Sequence, residues 1–420
     1  MVKNDKTIFE NQNNFRVLNQ IKIMDYLKKG PQSCAALSEA FSLSFTAVSK
    51  ILTELCQSGL TIMLPAHPEP GKKAGRWPNY FALNDRLGVV GALDFSSHEV
   101  RIALARLDNT IVLEKEIPES EIISKTTLDR VGATLEELLA SPEINGLPLL
   151  GICISSPGVL TPDGHYVFAH RIQDYEHLNM KRYFAERFGV EVDVYHDVKL
   201  GCVGERVFGS IPKEAQNLYF AYIDNEAGSS FFLNGHLYDG SHGFAGEVND
   251  LAPVDPESKS SMNGNFFTLS DIREALNKAL MEAPDHPLKK KNRYTTSDVV
   301  ALFEAGDPLV TSILDRSARY NAIELLAVAN FLDVDYLVLQ GRILTFGERY
   351  HALLNHYFAL YDLNHNQAKI VFSTLGSRAN LLGAVYQGGN IYWLKRFGEM
   401  TAKRTTSDDY DVTAYFGDNI

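Results

Sequence analysis

Short polar and basic side chains are grouped around residue 45, and their chemistry suits nucleic acid. Hydroxyl groups can reach base edges or phosphate oxygens, and a lysine ammonium can neutralise a phosphate. These groups act together only if a helix holds them on one exposed face. The candidate residues are Ser44, Phe45, Thr46, Ser49 and Lys50.

Apolar residues at helical spacing around this group predict three short helices, over 14–29, about 33–41 and 44–59. Ser33 and Ser44 are placed to cap the second and third helices. Three helices with a tight turn before the third are typical of a helix-turn-helix, in which the third helix presents its first residues to the DNA major groove. A plain three-helix bundle fits the same pattern.

Two short strands are predicted next, over 60–64 and 80–83, with a basic loop between them. The loop contains Lys72, Lys73 and Arg76 among small residues and prolines. A hairpin after the third helix would be a wing, whose basic tip can lie along a phosphate backbone or insert arginine into a narrow minor groove. A solvated basic loop is the alternative. Together with the helices, the hairpin favours operator DNA as a partner.

The charge of the chain is divided in the same way. The 420 residues carry a formal net charge of −12, but residues 1–85 hold ten basic and seven acidic groups, a net of +3. The remainder therefore carries −15. An apolar content of 45% and a charged content of 22% are ordinary for globular proteins, which excludes collagens, fully disordered chains and small disulfide scaffolds. A basic end on an acidic body suggests that one segment meets a polyanion, although +3 is small enough to arise by chance.

Cysteine usage and hydropathy predict a reduced, cytoplasmic protein. The four cysteines form no CxxC pair, so neither a zinc ribbon nor a disulfide framework is expected. Residues 1–19 lack the apolar core of a secretory signal, and the chain has no run of about 18 apolar residues, so no membrane partner is expected. The cysteines are Cys34, Cys56, Cys153 and Cys202.

From residue 86 onwards, predicted strands alternate with helices, which indicates an α/β body of two lobes with a cleft. Helices dominate 269–331, a late helix is predicted over 378–388, and the polar, acidic tail after about Lys395 is expected to be poorly ordered. The predicted strands are 89–95, 100–107, 111–117, 149–154, 190–195, 218–223, 230–233, 336–339 and 370–373.

Five strings in the body resemble one known family. A strand ends in a Pro-Gly turn at 152–159, and a second strand ends in an aspartate before a helix at 194–205. The turn-rich segment 234–247 ends in Ala-Gly-Glu, and Gly-containing strings follow at 338–341 and 382–385. Behind a winged helix-turn-helix, this order is similar to the ROK family (repressor, open reading frame, kinase). The resemblance implies an actin-like, ribonuclease-H-like sugar kinase fold, found in hexose kinases and in sugar-responsive repressors.

The resemblance also implies domain boundaries. We expect a winged helix-turn-helix DNA-binding domain over 1–85 and a first α/β lobe over 86–210, completed by a C-terminal helix at about 376–395. The second lobe would cover 211–375, and 396–420 would form the tail.

The glycine-rich loops that hold ATP in the family's kinases are altered in this chain. The first, Asp-x-Gly-Gly-Thr, corresponds to 94–98 and has neither glycine, and the second, Gly-Thr-Gly-Ile-Gly, corresponds to 224–228 and keeps one. Glycine lets backbone N–H groups approach phosphate oxygens. Asp224 and Glu226 would instead repel a polyphosphate, at a cost of about 4 kcal/mol for like charges ~4 Å apart. We therefore expect no catalytic residues, no cofactor and no enzyme activity.

The resemblance implies a sugar site that lacks its usual metal neighbour. Asp197 stands where the family keeps its general base; without a phosphoryl donor it can accept a hydrogen bond from a sugar hydroxyl, or only cap a helix. His196 replaces an asparagine, Glu247 is kept, and Asp250 replaces a zinc-binding histidine. These four residues suit a polyhydroxy or positively charged effector, unless the site has decayed. The family's zinc-binding cysteine string corresponds to 261–270, which has no cysteine, so no metal is expected.

The sequence thus predicts a transcriptional regulator, a repressor of carbohydrate catabolism genes that responds to a sugar or sugar derivative. A homodimer or homotetramer would set the spacing of its DNA half-sites. Two alternatives remain open at this point: a sugar kinase that keeps a DNA-binding arm, and a DNA-binding regulator that has lost its effector.

Overall fold

The structure is a computed structural model that describes residues 16, 18–64, 78–97, 99–118, 122–161, 164–169, 171–241, 243–248, 266–291 and 293–402. Several residues singled out from the sequence lie outside these ranges. They are Lys72, Lys73, Arg76, Asp250 and the tail beyond residue 402.

The N-terminal segment forms three helices and a small antiparallel sheet. Ser33 and Ser44 cap the second and third helices, as predicted, and Ser42 turns the chain between them with a φ of 52°. A two-residue strand before the second helix, which sequence patterning did not predict, extends the sheet to the order β1-β3-β2. The elements are α1 (18–27), β1 (Gln32–Ser33), α2 (Cys34–Phe41), α3 (Phe45–Gln57), β2 (Thr61–Leu64) and β3 (Tyr80–Leu83).

A five-stranded mixed sheet follows, in the order β10-β7-β4-β5-β6. β4, β5 and β6 form an antiparallel meander, and β7 runs parallel to β4. β4 is buried along its whole length, as the apolar run over its first five residues predicts, and the Asp94 at its end is buried as well. The elements of this stretch are β4 (Val89–Asp94), β5 (Glu99–Arg106), β6 (Ile111–Pro118), α4 (Lys125–Leu139), β7 (Leu149–Ser156), β8 (Val159–Leu160), β9 (Tyr166–Phe168), α5 (Met180–Phe188) and β10 (Val192–His196).

A second five-stranded sheet has the order β13-β12-β11-β14-β15, with β14 and β15 parallel to β11. One large apolar cluster joins this sheet to the helices that follow it, with Tyr219, Phe303, Leu314 and Leu337 fully buried. The elements are α6 (Asp197–Phe208), β11 (Leu218–Ile223), β12 (Ala227–Leu233), β13 (His236–Leu237), α7 (Leu269–Met281), α8 (Thr296–Glu304), α9 (Pro308–Leu332), β14 (Tyr336–Gln340), α10 (Gly347–Tyr361), β15 (Lys369–Phe372) and α11 (Ala379–Ala402), with short 3-10 helices at Arg342–Phe346 and Gly376–Arg378.

The last helix is longer than the sequence predicts. α11 continues past residue 388 and past Lys395 to Ala402, so the predicted helix end is wrong. Burial explains the difference, because Ile391 and Trp393 pack inside the protein and hold the helix beyond its glycine pair at 388–389. Residues 403–420 lie outside the described ranges.

The chain divides into two compact units. One comprises residues 1–156, 162–194 and 384–416, and the other comprises 157–161, 195–383 and 417–420. Among the described residues, no single helix has the length and apolar composition needed to cross a membrane; α2 and α3 meet that test only as a pair bent by 117°.

Candidate functional site

The five polar and aromatic residues predicted to meet DNA lie at the exposed start of α3. Ser44 is the N-cap, and its side-chain oxygen accepts a hydrogen bond from the Ala47 N–H at 3.2 Å. Phe45 is 60% exposed, Thr46 and Lys50 are exposed, and Ser49 is half-buried between them. The opposite side of α3 fills the core of the segment through Val48, Ile51, Leu52 and Leu55.

Contacts from α1 and α2 hold α3 in place. The Cys34 thiol donates to the Phe45 carbonyl at 3.5 Å, and the Gln20 amide donates to Glu54 at 3.1 Å. Arg16 forms an ion pair with the same glutamate. Glu54 thus ties the far end of α3 to α1, while Cys34 ties its first residue to α2.

Thr53 shares the exposed side of α3 but was not among the predicted residues. Its hydroxyl donates to the Ser49 carbonyl at 2.8 Å, within the helix. Because this bond occupies the hydroxyl proton, the side chain is less available for an external acceptor. The polar face open to a ligand is therefore concentrated in the first turn and a half.

The second predicted site brings together His196, Asp197 and Glu247. β10 ends at His196, which caps α6, and Asp197 is the first residue of that helix. The His196 Nε2 lies 3.5 Å from an Asp197 carboxylate oxygen, and its Nδ1 lies 3.6 Å from Glu247 Oε1. The fourth predicted member, Asp250, lies outside the described residues.

A glycine turn positions Glu247. Gly246 has a φ of +94°, and a Cβ at this position would lie 2.1 Å from the Ser229 carbonyl oxygen. The Ser229 N–H and hydroxyl both donate to the Gly246 carbonyl, at 3.1 and 2.9 Å. Only glycine fits this approach, so the Ala-Gly-Glu string is fixed beside the start of β12.

The environment of His196 favours its neutral form. Burial lowers the pKa of the imidazole, the Glu247 carboxylate opposes this shift, and the positive charge of Lys199 adds to it. Within the part of the chain that the structure describes, Nδ1 is buried without a hydrogen-bond partner. A neutral ring beside two carboxylates offers hydrogen-bonding atoms that suit the hydroxyls of a small polar ligand.

Lys199 is a member of this site that sequence reasoning missed. Its ammonium contacts Asp239 Oδ1 at 2.6 Å and the Gly243 carbonyl at 3.4 Å. The spacing was a usable signal, because Lys199 follows His196 by three residues and such pairs share one side of a helix. Lys199 therefore ties α6 to the turn-rich segment that supplies Glu247.

The expected electrostatic barrier at 224–228 is wrong in part, because Arg342 forms an ion pair with Asp224 and compensates its charge. The Arg342 Nε lies 3.0 and 2.9 Å from its two carboxylate oxygens, and the Asn225 N–H donates at 2.7 Å. Burial alone would raise the pKa of Asp224, but the hydrogen bonds and charge of Arg342 hold the net pKa below its ordinary value. Glu226 is exposed, so this second carboxylate of the predicted barrier remains in the turn.

The other altered loop is held by a side chain from a distant segment. Arg171 donates to the carbonyl oxygens of Ser96 and Ser97, both at 2.8 Å, and the Ser96 N–H donates to Asp94 at 3.1 Å. A phosphate needs free N–H groups there, and Ser96 already uses its own. This loop therefore offers one fewer free N–H group than a phosphate-binding loop would use.

No group of three or more metal-ligating side chains occurs among the described residues. The segment 249–265, which includes Asp250, is not among them. The expectation that the chain has no zinc site stays a prediction.

Comparison with known proteins identifies the body of the chain. A profile of the ROK family matches residues 90–387, well over half of the chain. The chain belongs to the ROK family. Its two sheets and their helices are therefore those of the mixed α/β, actin-like ROK sugar kinase fold.

Curated relatives of this ROK protein include both repressors and a kinase. The xylose repressor of Bacillus spizizenii is 26% identical over 379 residues, which cover 88% of this chain and 94% of the repressor. The glucokinase of Halalkalibacterium halodurans is 22% identical over 315 residues, which cover 72% of this chain and 94% of the kinase.

Solved structures share the fold. A ROK family transcriptional regulator, a homologue of the E. coli MLC protein, has a TM-score of 0.74 at 20% identity, covering 91% of this chain and 100% of that one. A ROK family glucokinase from Streptomyces griseus, in complex with glucose and AMPPNP, has a TM-score of 0.60 at 17% identity, covering 71% and 98%.

Proposed function

We propose that this ROK protein is a DNA-binding transcriptional repressor of carbohydrate catabolism genes, controlled by a sugar or sugar derivative and without kinase activity. The observation that carries the proposal is the exposed start of α3, on a segment joined to a ROK body whose phosphate loops have lost most of their glycines. α1 to α3 with the β2–β3 hairpin would act as a winged helix-turn-helix. Ser44, Phe45, Thr46, Ser49 and Lys50 would enter the major groove, and Lys72, Lys73 and Arg76 would contact the backbone or minor groove.

The extent of the alignments supports a regulator. Residues 90–420 make up less than four fifths of the chain. An alignment that covers 88% of the chain, as with the B. spizizenii xylose repressor, must therefore include part of 1–89. The glucokinase alignment covers 72%, close to the extent of the ROK domain itself.

The effector would bind at His196, Asp197, Glu247 and Asp250. Carboxylates accept hydrogen bonds from paired hydroxyls, and the unpartnered Nδ1 of His196 adds a further polar atom. A sugar would release DNA by binding more tightly to the conformation with low DNA affinity. Xylose belongs in the first panel of sugars, because curated relatives are named xylose repressors.

Gel-shift titration of the full chain on the DNA upstream of its own gene tests this proposal. We expect specific binding at moderate salt that one of a panel of sugars, xylose included, weakens at least fivefold. Asp197→Asn should bind the same DNA but respond less to the sugar. Absence of specific DNA binding at any moderate salt would reject the proposal, and DNA binding that no sugar alters would favour a regulator without an effector.

A sugar kinase is the second candidate, because Asp197 and Glu247 keep the positions of the family's catalytic and sugar-binding carboxylates. Phosphorylation of xylose, glucose or another sugar by ATP, abolished by Asp197→Asn, would support it. We expect no transfer above background, since serines and Asp224 stand where the phosphate loops require glycine.

A further inference from the structure

Phe45 is an exposed aromatic side chain within a polar surface. It is the first residue of α3 and is 60% exposed, although Val48 and Leu52, three and seven positions further on, are buried on the same side of the helix. Its neighbours along the exposed side are Thr46, Ser49 and Lys50. A phenyl ring in this place contributes little to the core of the segment. Only a bound ligand would cover its exposed surface.

The backbone of Phe45 is held from both sides. The Cys34 thiol donates to its carbonyl, and Ser44 caps the helix immediately before it. With the backbone held, only two side-chain torsions remain to be ordered on binding. A rigid ring with few torsions loses little conformational entropy when it is buried at an interface.

We propose that Phe45 is a specificity-determining residue that contacts the 5-methyl group of thymine in the major groove. This inference rests on the proposed DNA-binding function. Among the four bases, thymine alone presents an apolar group at the major-groove edge, and a phenyl ring has no hydrogen-bonding atom with which to read the others. Lys50, about one and a half turns further along α3, can hold a phosphate, and Thr46 and Ser49 can meet polar base edges.

Uracil interference tests the inference on the whole upstream DNA, whatever the sequence of the operator within it. This DNA is made with a mixture of thymine and uracil, bound and free fractions are separated, and cleavage at uracil shows where loss of a methyl group weakens binding. For the wild-type chain we expect signals at one or two thymines per half-site. Each should correspond to about fourfold weaker binding, the fold-change expected for loss of one buried methyl group.

Three variants separate the reading of thymine from general affinity. Phe45→Ala should lose the uracil signals, and Phe45→Leu should keep part of them because its side chain is still apolar. Lys50→Ala should weaken binding to all duplexes alike while keeping the signals. Phe331→Ala is the matched control, because this phenylalanine is 86% exposed but lies in the other unit, and it should bind as the wild type does.

The outcomes distinguish this inference from the function on which it rests. For variants that bind weakly, titrations at lowered salt give the ratio of the affinity for an all-thymine duplex to the affinity for an all-uracil duplex. Thermal melting checks that each variant folds. A wild-type chain that binds no DNA overturns both the function and the inference. Specific binding with no uracil penalty, or with a penalty that survives Phe45→Ala, overturns the inference alone.

Discussion

At the scale of single residues, neighbours determine what charge an ionisable side chain carries. Asp224 is 13% exposed and stays ionised because Arg342 and two backbone N–H groups bind its carboxylate. His196 is 16% exposed and favours the neutral form because burial outweighs the nearby Glu247. Both effects make the stability of the protein depend on pH, in separate pH ranges.

Replacing Asp224 tests its ion pair. Asp224→Asn leaves Arg342 without its partner, and since the guanidinium is 50% exposed we expect a loss of about 1–2 kcal/mol in the free energy of unfolding at pH 7. The folded pKa lies below the unfolded value of 3.8, so the stabilisation is present above that value and disappears as the pH falls through the folded pKa. Urea unfolding over a series of pH values should show the difference between the two proteins constant from pH 7 down to about 4 and shrinking as the pH falls further below 3.8. Glu226→Gln, at an exposed carboxylate of the same turn, is the control, and an equal loss there would contradict the role of the pair.

Replacing His196 tests its buried neutral state. Because the folded pKa lies below the unfolded value of about 6.5, the unfolded chain takes up a proton first as the pH falls, and the folded state loses stability below that pH. Asp197, Glu247 and Lys199 face the ring and are the same in both proteins. Between pH 7.5 and 5.5, the Tm of His196→Asn should fall less than that of the wild type. His365→Asn, at an exposed position, is the control, and its Tm should fall by as much as that of the wild type. If the Tm of His196→Asn also falls by that amount, burial of neutral His196 does not cause the pH dependence.

At the scale of elements, α6 links the candidate effector site to α11. α6 begins at Asp197, and its middle packs on the first turns of α11 without intervening side chains. A Cβ at Gly204 would lie 2.1 Å from the Ala379 carbonyl oxygen, and one at Gly383 would lie 2.0 Å from the Leu200 carbonyl oxygen. The Gly-Ala string near residue 383 is therefore a packing requirement of two helices.

Two glycines of α11 give a matched pair for this contact. Gly383→Ala forces the helices apart, and we expect it to lower the free energy of unfolding by about 2–4 kcal/mol. Gly389→Ala meets its nearest atom at 4.0 Å, so it should be neutral or stabilise by up to about 1 kcal/mol through helix propensity. Denaturant unfolding of both variants measures the difference, and equal stabilities would contradict the close approach of α6 and α11.

At the scale of the whole molecule, charge is divided between a basic end and an acidic body. The net −12 arises from +3 over residues 1–85 and −15 over the rest. Binding of such a chain to DNA depends on local contacts to phosphate, because the field of the body opposes approach. DNA affinity should therefore fall steeply with salt, since each neutralised phosphate releases counterions.

Lys50 is expected to account for one of these phosphate contacts. In plots of log affinity against log salt, Lys50→Ala should reduce the slope by about 0.9 relative to wild type. Lys290→Ala removes an exposed lysine from the other unit and should leave the slope unchanged. An unchanged slope for Lys50→Ala would show that Lys50 contacts no phosphate.

Local patterns were enough to predict much of the fold. The caps at Ser33 and Ser44, the strands over 61–64 and 80–83, and the buried strands of both sheets follow from apolar periodicity and short-range hydrogen bonding. The strand β1 was missed because two residues have no periodicity, and its pairing depends on β3, about fifty positions away.

What the sequence by itself determined is the family, the order of the elements and the chemistry of the two candidate sites, since motifs and caps are local. Only the tertiary structure decided which charges are compensated and where the last helix ends. Asp224 meets Arg342 across 118 positions, and Lys199 meets Asp239 across 40. The buried Trp393 holds α11 beyond its predicted end. Spacing along the chain carries no signal for such partners, because they are brought together by the packing of whole sheets and helices.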